Sequence, residues 1–404
     1  MIANAAYLAF SALISVGAAL IIGKFSHLSH TGTVMLAALV AFYLLMANPV
    51  RAGTTPGSLD DVLTPICAKY DLPALAGAIF TTDGIVEIAA VGVRKKGDPT
   101  PVTTSDLWHL GSDTKAMTAA LAGTFVVEKK LSWDDKVISY FPELADKIAP
   151  AIKDITISQV LHHEAGLSEN LSLWNRAFLT GTPSRQRQQA VATILESPAY
   201  TPGTFHYANN DYILIGAILE KIAGKPWEDL IRERIFNPLH MDSAGFGGTG
   251  TVGQIDQPWP HFANGSPAPS NGPGADNPAY MGPCGTVHCS LTDWSKFLVD
   301  QLRGGTGLTA LLPTEIYRAM QPDPLPGRND TYGYGWIIVD RPWAGGKALT
   351  HSGSNTMNLA ICWLAPAKKF GVLVCCNQGV NETTFKACDA AASALIQRHL
   401  ASER

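Results

Sequence analysis

The stretch His109-Leu110-Gly111-Ser112-Asp113-Thr114-Lys115-Ala116-Met117-Thr118-Ala119-Ala120-Leu121-Ala122-Gly123 sets a serine and a lysine three residues apart at the start of an apolar, alanine-rich run. Residues three apart on a helix share a face. If the helix starts near Ser112, the hydroxyl and the Lys115 amine touch at its N-terminal end. An amine held partly out of water loses proton affinity and can accept a serine proton at neutral pH. Catalysis by such a pair needs no histidine. Alone, S-x-x-K also arises by chance, as a capping serine beside a solvated lysine, so the weight falls on the rest of the chain.

Working outward, the text from Leu75 to Val93 reads as two strands around Asp83-Gly84, a dipeptide suited to a tight hairpin turn. Leu359 to Leu364 and Gly371 to Cys376 form a second such pair across Pro366-Ala367-Lys368-Lys369, and Asn381 to Leu400 has apolar residues at helical spacing. Between these ends the pattern is helical over Ala116 to Glu128, Thr156 to His162, Arg187 to Glu196, Asp211 to Ala223 and Trp227 to Phe236. Asn264 to Pro283 reads as a glycine- and proline-rich loop. Strands at both ends and helices between them predict an α+β fold: one antiparallel sheet with flanking helices built from both chain ends, plus an inserted, mainly helical domain. The expected boundaries are about 59–130 and 285–404 for the sheet part and 131–284 for the helical part, with a cleft between them.

The first fifty residues differ in kind. Ile2 to Gly23 carries no formal charge, and Val34 to Met46 is a second apolar stretch. One reading makes Lys24 the positive end of a signal peptide, Val34 to Met46 its apolar core and Val50-Arg51-Ala52 its cleavage site. The other makes both stretches a membrane hairpin, although the second is short for the roughly 20 residues of a span. Either way 1–52 stands apart from the fold and the body is expected to be exported, periplasmic or secreted, with the cleaved form favoured.

The chain has 404 residues, 46% hydrophobic and 16% charged, which suffices for a sizeable core. A net charge of -4 provides no basic field for nucleic acid, and membrane contact is expected only through the N-terminal segment. The seven cysteines show no paired C-x-x-C spacing. Cys375 and Cys376 read as small buried hydrophobes, whereas Cys284 and Cys289 lie close enough for a local bridge. His162-His163-Glu164 reads as a helix end beside the cleft rather than a metal site, since adjacent ligands point in different directions. Neither metal nor cofactor is expected. G-x-S-x-G is missing, which argues against the α/β-hydrolase route. Gly245 to Gly253 lacks the G-K-[ST] ending of a phosphate loop and reads as a flexible segment.

Pro202-Gly203-Thr204-Phe205-His206-Tyr207-Ala208-Asn209-Asn210-Asp211-Tyr212 resembles the Tyr-x-Asn motif of the serine beta-lactamase-like hydrolases, in the branch of class C beta-lactamases, D-alanyl-D-alanine peptidases and family VIII-type esterases. Leu161 to Leu167 is similar to that family's LLSHTSGL segment, and Asn237 to Met241 to its PLGM segment. Gly282 to Ser290 with Asp293, Trp294 and Phe297 is similar to its glycine turn and following helix. Tyr332 to Trp336 and then His351-Ser352-Gly353 complete the order, so the resemblance spans nearly the whole of 53–404.

The resemblance implies that Ser112 is the nucleophile, Lys115 the neighbouring base or proton relay, and Tyr207 a proton-handling phenol. Asn209 would orient Lys115 and bind a substrate carbonyl or amide. Gly353 would let substrate approach the strand closely, and the amides of Ser112 and Ser354 would form the oxyanion hole. The third motif departs from the beta-lactamase pattern: His351 stands for lysine and Ser352 for threonine. A largely neutral histidine attracts a carboxylate less than lysine does and gains charge as the pH falls toward about 6. Trp108, Phe205, Tyr212 and Trp336 are candidates for an apolar acyl pocket and equally for ordinary core. The expected activity is therefore hydrolysis of small carboxylic esters. Cleavage of a beta-lactam or of a D-amino-acid peptide ranks second. A non-catalytic binding or scaffold module ranks third, because such a module would need none of Ser112, Lys115, Tyr207 and Asn209.

Overall fold

The computed structural model describes residues 57–272, 274–324 and 331–403; the expected leader at 1–52 lies outside them. Ten strands form among the described residues: β1 (Ala74–Thr81), β2 (Gly84–Gly92), β3 (Leu107–His109), β4 (Gly245–Phe246), β5 (Val287–Ser290), β6 (Thr331–Tyr332), β7 (Ile337–Arg341), β8 (Gly346–Gly353), β9 (Leu359–Ala365) and β10 (Phe370–Cys376). The longer helices are α1 (Leu59–Lys69), α2 (Thr114–Val127), α3 (Pro183–Glu196), α4 (Asn209–Ala223), α5 (Leu291–Gly305) and α6 (Glu382–Ser402). Seven strands form an antiparallel sheet in the order β2-β1-β10-β9-β8-β7-β6, so β10 joins the N-terminal hairpin to the rest. The fold is α+β, an antiparallel sheet with helices on both faces, as expected.

Central strands such as ALAGAIFT and FGVLVCC are apolar throughout because both sheet faces are covered. Successive side chains point to opposite faces. Ala74, Ala76, Ala78 and Phe80 join the core shared with α2, α4 and α5, whereas Leu75 and Ile79 join the one closed by α1 and α6. Local chemistry sets the helix starts. Thr156 and Gln159 form a capping box, and Asn381 accepts a hydrogen bond from the Thr384 backbone N–H ahead of α6. The helix at Trp227–Ile231 passes into a π turn at Arg232–Phe236 rather than continuing regularly. No helix among the described residues is long and apolar enough to cross a membrane.

Two expectations are corrected. The start of Gly245 to Gly253 is strand: Gly245 and Phe246 pair with His288 and Val287, and the Phe246 ring lies 5.4 Å from that of Trp227. The apolar ring fixes a segment whose glycines alone read as flexible. All seven cysteines are free and buried, and the local bridge is not formed: Cys284 Sγ donates to the Met281 carbonyl at 3.1 Å.

Candidate active site

Gly111–Asp113 makes a single tight turn ahead of α2, and that turn carries Ser112. Gly111 has φ of 51°, in the left-handed region, and a Cβ there would collide with the Ser354 backbone nitrogen. From the other side, a Cβ on Gly353 would collide with the Leu110 carbonyl. Two glycines on different chain segments therefore let the Ser112 turn press directly on the end of β8.

Lys115, one turn on, is completely buried and donates three hydrogen bonds: to Ser112 Oγ at 3.0 Å, Asn209 Oδ1 at 2.8 Å and the Cys284 carbonyl at 2.9 Å. An ammonium has three protons to place, and three oxygens receive them. The Tyr207 ring lies 4.7 Å from Lys115 Nζ and the Tyr212 ring 5.7 Å, so aromatic faces cover the rest of the amine. Asn209 is itself fixed, its Nδ2 donating to Asn170 Oδ1 at 3.0 Å and its backbone N–H to the Glu169 carbonyl at 2.8 Å.

The cleft over Ser112 encloses about 310 Å³ and is bordered by Tyr207, His351, Ser352, Gly353 and Ser354. The structure thus brings all seven sequence-derived site residues to one place. His351 is buried, and its two nitrogens have defined roles. The Ser352 carbonyl can only accept, so Nδ1 donates to it at 2.9 Å, which leaves Nε2 to accept from Tyr332 Oη at 3.1 Å. Burial, then the neighbouring Lys115 charge, push the His351 pKa down to about 3. This corrects the expectation that His351 gains charge near pH 6, because the side chain stays neutral far below that.

The structure decides between the two readings of the aromatic residues. Trp108, Tyr212 and Trp336 are core residues, and Phe205 is exposed beside the His163 and Tyr332 rings. The apolar part of the cleft is Ile337, Leu359, Val380 and Phe385. Val380 and Phe385 lie near the start of α6, outside every motif.

Several groups around the site were not apparent in the sequence. The Cys284 carbonyl is backbone and has no residue signature. Behind Tyr207, His163 Nδ1 lies 2.6 Å from Asp211 Oδ2, and the two rings are 4.4 Å apart. Burial drives the His163 pKa well down and the Asp211 pKa well up, so the pair stays uncharged as a unit. Asp113 is likewise buried, its carboxyl raised by desolvation, with the Cys362 thiol donating to it at 3.5 Å. No cluster of His, Cys, Asp and Glu among the described residues has the arrangement of a metal site.

Comparison with known proteins places this geometry in a lineage. A putative D-alanyl-D-alanine carboxypeptidase of Escherichia coli K12 is 30% identical over 218 residues, half of each chain, so the chain spans about half the length of that curated relative. Penicillin-binding protein 4 of Amycolatopsis lactamdurans is 24% identical over 334 residues, which cover 78% of this chain and 84% of that protein. Among solved structures, the octameric penicillin-binding protein homologue from Pyrococcus abyssi superposes with a TM-score of 0.67 at 24% identity, over 83% of this chain and 76% of that one. The D-alanine carboxypeptidase AmpC from Burkholderia cenocepacia gives 0.66 at 19% identity, over 83% and 97%. These two similarities speak for the fold. The Beta-lactamase family model matches residues 59–396, nearly all of the described chain and every residue of the cleft, and the chain therefore belongs to the beta-lactamase family of serine hydrolases.

Proposed function

We propose that the chain hydrolyses small, uncharged carboxylic esters through an acyl-enzyme on Ser112. Ser112 Oγ attacks the ester carbonyl carbon, and its proton passes to the Lys115–Tyr207 pair. The backbone N–H groups of Ser112 and Ser354 receive the oxyanion, and the leaving alkoxide takes a proton from the same pair. Water then attacks the acyl carbon, returns the proton to Ser112 Oγ and releases the acid. Asn209 holds Lys115 in register and faces the substrate carbonyl. Residues 1–52 are proposed to direct export, and residues 131–284 to form the helical half of the cleft.

The observation that carries the ester reading is the cleft's lining. Ile337, Leu359, Val380 and Phe385 supply apolar surface, and the lining holds no lysine or arginine; Lys115 lies beneath Ser112 with all three of its hydrogen bonds already made to protein oxygens. His351, where a carboxylate-binding lysine would sit, is neutral. A substrate carboxylate would lose its water there without gaining a cation whose hydrogen bonds are free to receive it. D-alanyl-D-alanine carboxypeptidase activity is a second reading, favoured by the names of the relatives that match.

Ser112→Ala tests the mechanism, with an expected loss of about 10⁶-fold in turnover and complete loss of fluorophosphonate labelling. Butyrate and acetate p-nitrophenyl esters, nitrocefin and D-alanyl-D-alanine peptides assayed side by side test the substrate class. Faster turnover of the peptides than of the esters would replace the first reading by the second. A wild-type protein that takes no label would instead be a binding module.

A further inference from the structure

Ser112 and Ser354 belong to chain segments that meet only by backbone packing in the cleft, yet a second, buried connection runs beneath them. His109 Nε2 lies 2.7 Å from Asp276 Oδ1, with each side chain 1% exposed. On one side, the Gly111 backbone N–H donates to His109 Nδ1 at 3.1 Å. That bond occupies the Nδ1 lone pair and leaves Nε2 in close contact with the carboxylate, out of line for a hydrogen bond. On the other side, Asn355 Nδ2 donates to the same Asp276 oxygen at 3.0 Å. Asn355 Oδ1 then accepts from the Met357 backbone N–H at 3.2 Å and from Asn358 Nδ2 at 3.0 Å. Asn358 returns to the start of the loop, its carbonyl accepting from Ser354 Oγ at 2.5 Å. An unbroken polar path thus links Gly111, immediately before the nucleophile, to Ser354.

We propose that His109, Asp276 and Asn355 are positioning residues that hold the Ser112 and Ser354 backbone N–H groups at the spacing an oxyanion requires. This rests on the acyl-enzyme reading above. A donor is effective only when it is aimed where the oxyanion will sit, and neither segment fixes the other through side chains in the cleft. Asp276 Oδ1 meets the His109 ring on one side and accepts from Asn355 on the other, so it is the junction at which the two halves are tied. None of the three residues touches substrate, so loosening them slows the chemical step and leaves substrate binding alone.

The test compares Asp276→Ala with Asp276→Asn in the full chain, using p-nitrophenyl butyrate turnover, phenylboronic acid inhibition and the melting temperature. In the boronate adduct Ser112 Oγ bonds to boron, its proton leaves to the Lys115–Tyr207 pair, and a boron-bound oxygen occupies the oxyanion position. Asp276→Ala is expected to lower kcat about 10- to 100-fold, less than the roughly 10²- to 10³-fold for outright loss of a donor. KM should stay within about twofold, and boronate inhibition should weaken in parallel with kcat. Asp276→Asn retains an oxygen acceptor in the same place and should recover most of the loss. If Asp276→Ala does not fold, Asn355→Ala at the far end of the path is read in the same way. An unchanged kcat in the folded alanine variant, a rise confined to KM, or an asparagine variant no better than alanine overturns the network alone. A wild-type enzyme that is not labelled at Ser112 overturns the acyl-enzyme reading, and the network with it.

Discussion

Lys115 lies beneath the cleft and His351 on its wall, both out of water, and they differ in what their nitrogens meet. Lys115 has three oxygen acceptors for three protons. His351 has one carbonyl acceptor, one hydroxyl that donates to it, and a neighbouring positive charge, and its pKa falls to about 3. Burial is common to both. The acceptors are not, and they divide the basic residues into a proton-handling hub on α2 and an uncharged wall on β8.

The contrast breaks first at Lys115. Lys115→Met fills the same volume without a hydrogen bond, and kcat/KM for p-nitrophenyl butyrate is expected to fall about 10²- to 10⁴-fold. Fluorophosphonate labelling should slow in step, and a loss under tenfold would remove Lys115 from the chemistry. A second histidine sharpens the comparison. His288 is held by the Gly247 carbonyl at 2.8 Å, with His109, Asp276 and Arg232 nearby, and burial lowers its pKa to about 4. As the pH falls below about 6.5 the unfolded chain takes up this proton before the native protein does, so native stability drops down to about pH 4. Relative to His288→Gln, the wild type should lose about 3 kcal/mol between pH 7 and pH 4, read from urea unfolding at the two values. A difference independent of pH would contradict the neutral, half-buried assignment.

Smaller effects are expected at His351. His351→Lys should raise the nitrocefin-to-butyrate ratio of kcat/KM about tenfold, because a charge-assisted contact is worth roughly 1.5 to 3 kcal/mol and repulsion from Lys115 cancels part of it. An unchanged ratio would show that charge at this position does not set substrate class. In the wild type the same ratio should be flat from pH 8 to pH 5, since His351 does not titrate there. A rise on acidification would mean that His351 gains its proton in the open cleft.

How far the site could be read in advance depended on whether its logic is local. The Ser112–Lys115 contact lies within one turn of chain, and Tyr207 with Asn209 announces itself by order and spacing. Strand pairs at both ends were visible because each is bounded by a turn and is apolar throughout. His109 with Asp276 and His163 with Asp211 were not, since each pair joins distant segments and no residue type marks one polar side chain for burial beside another. The aromatic residues misled for a related reason. Trp108 and Trp336 lie close to motifs in the sequence, but the folded chain turns both into the core, while Val380 and Phe385 reach the cleft from a helix start without a motif. His351 was recognised by position, and its charge state depended on burial and on the neighbouring Lys115, which only the folded arrangement supplies.

The place of β10 bears on how the protein is made. This strand pairs with β1 on one side and β9 on the other, so Ala76 must wait for Cys375, almost the whole described chain later. Contacts between such distant residues form late, after the entropy of closing a long loop has been overcome. A nascent chain that has not yet reached Phe370 therefore carries two apolar strand edges without partners, the kind of edge that recruits other chains. A message truncated shortly before that point encodes every candidate catalytic side chain and still yields no closed sheet. For this protein, the interval between synthesis of Ser112 and synthesis of β10 is the period of greatest exposure to aggregation and proteolysis.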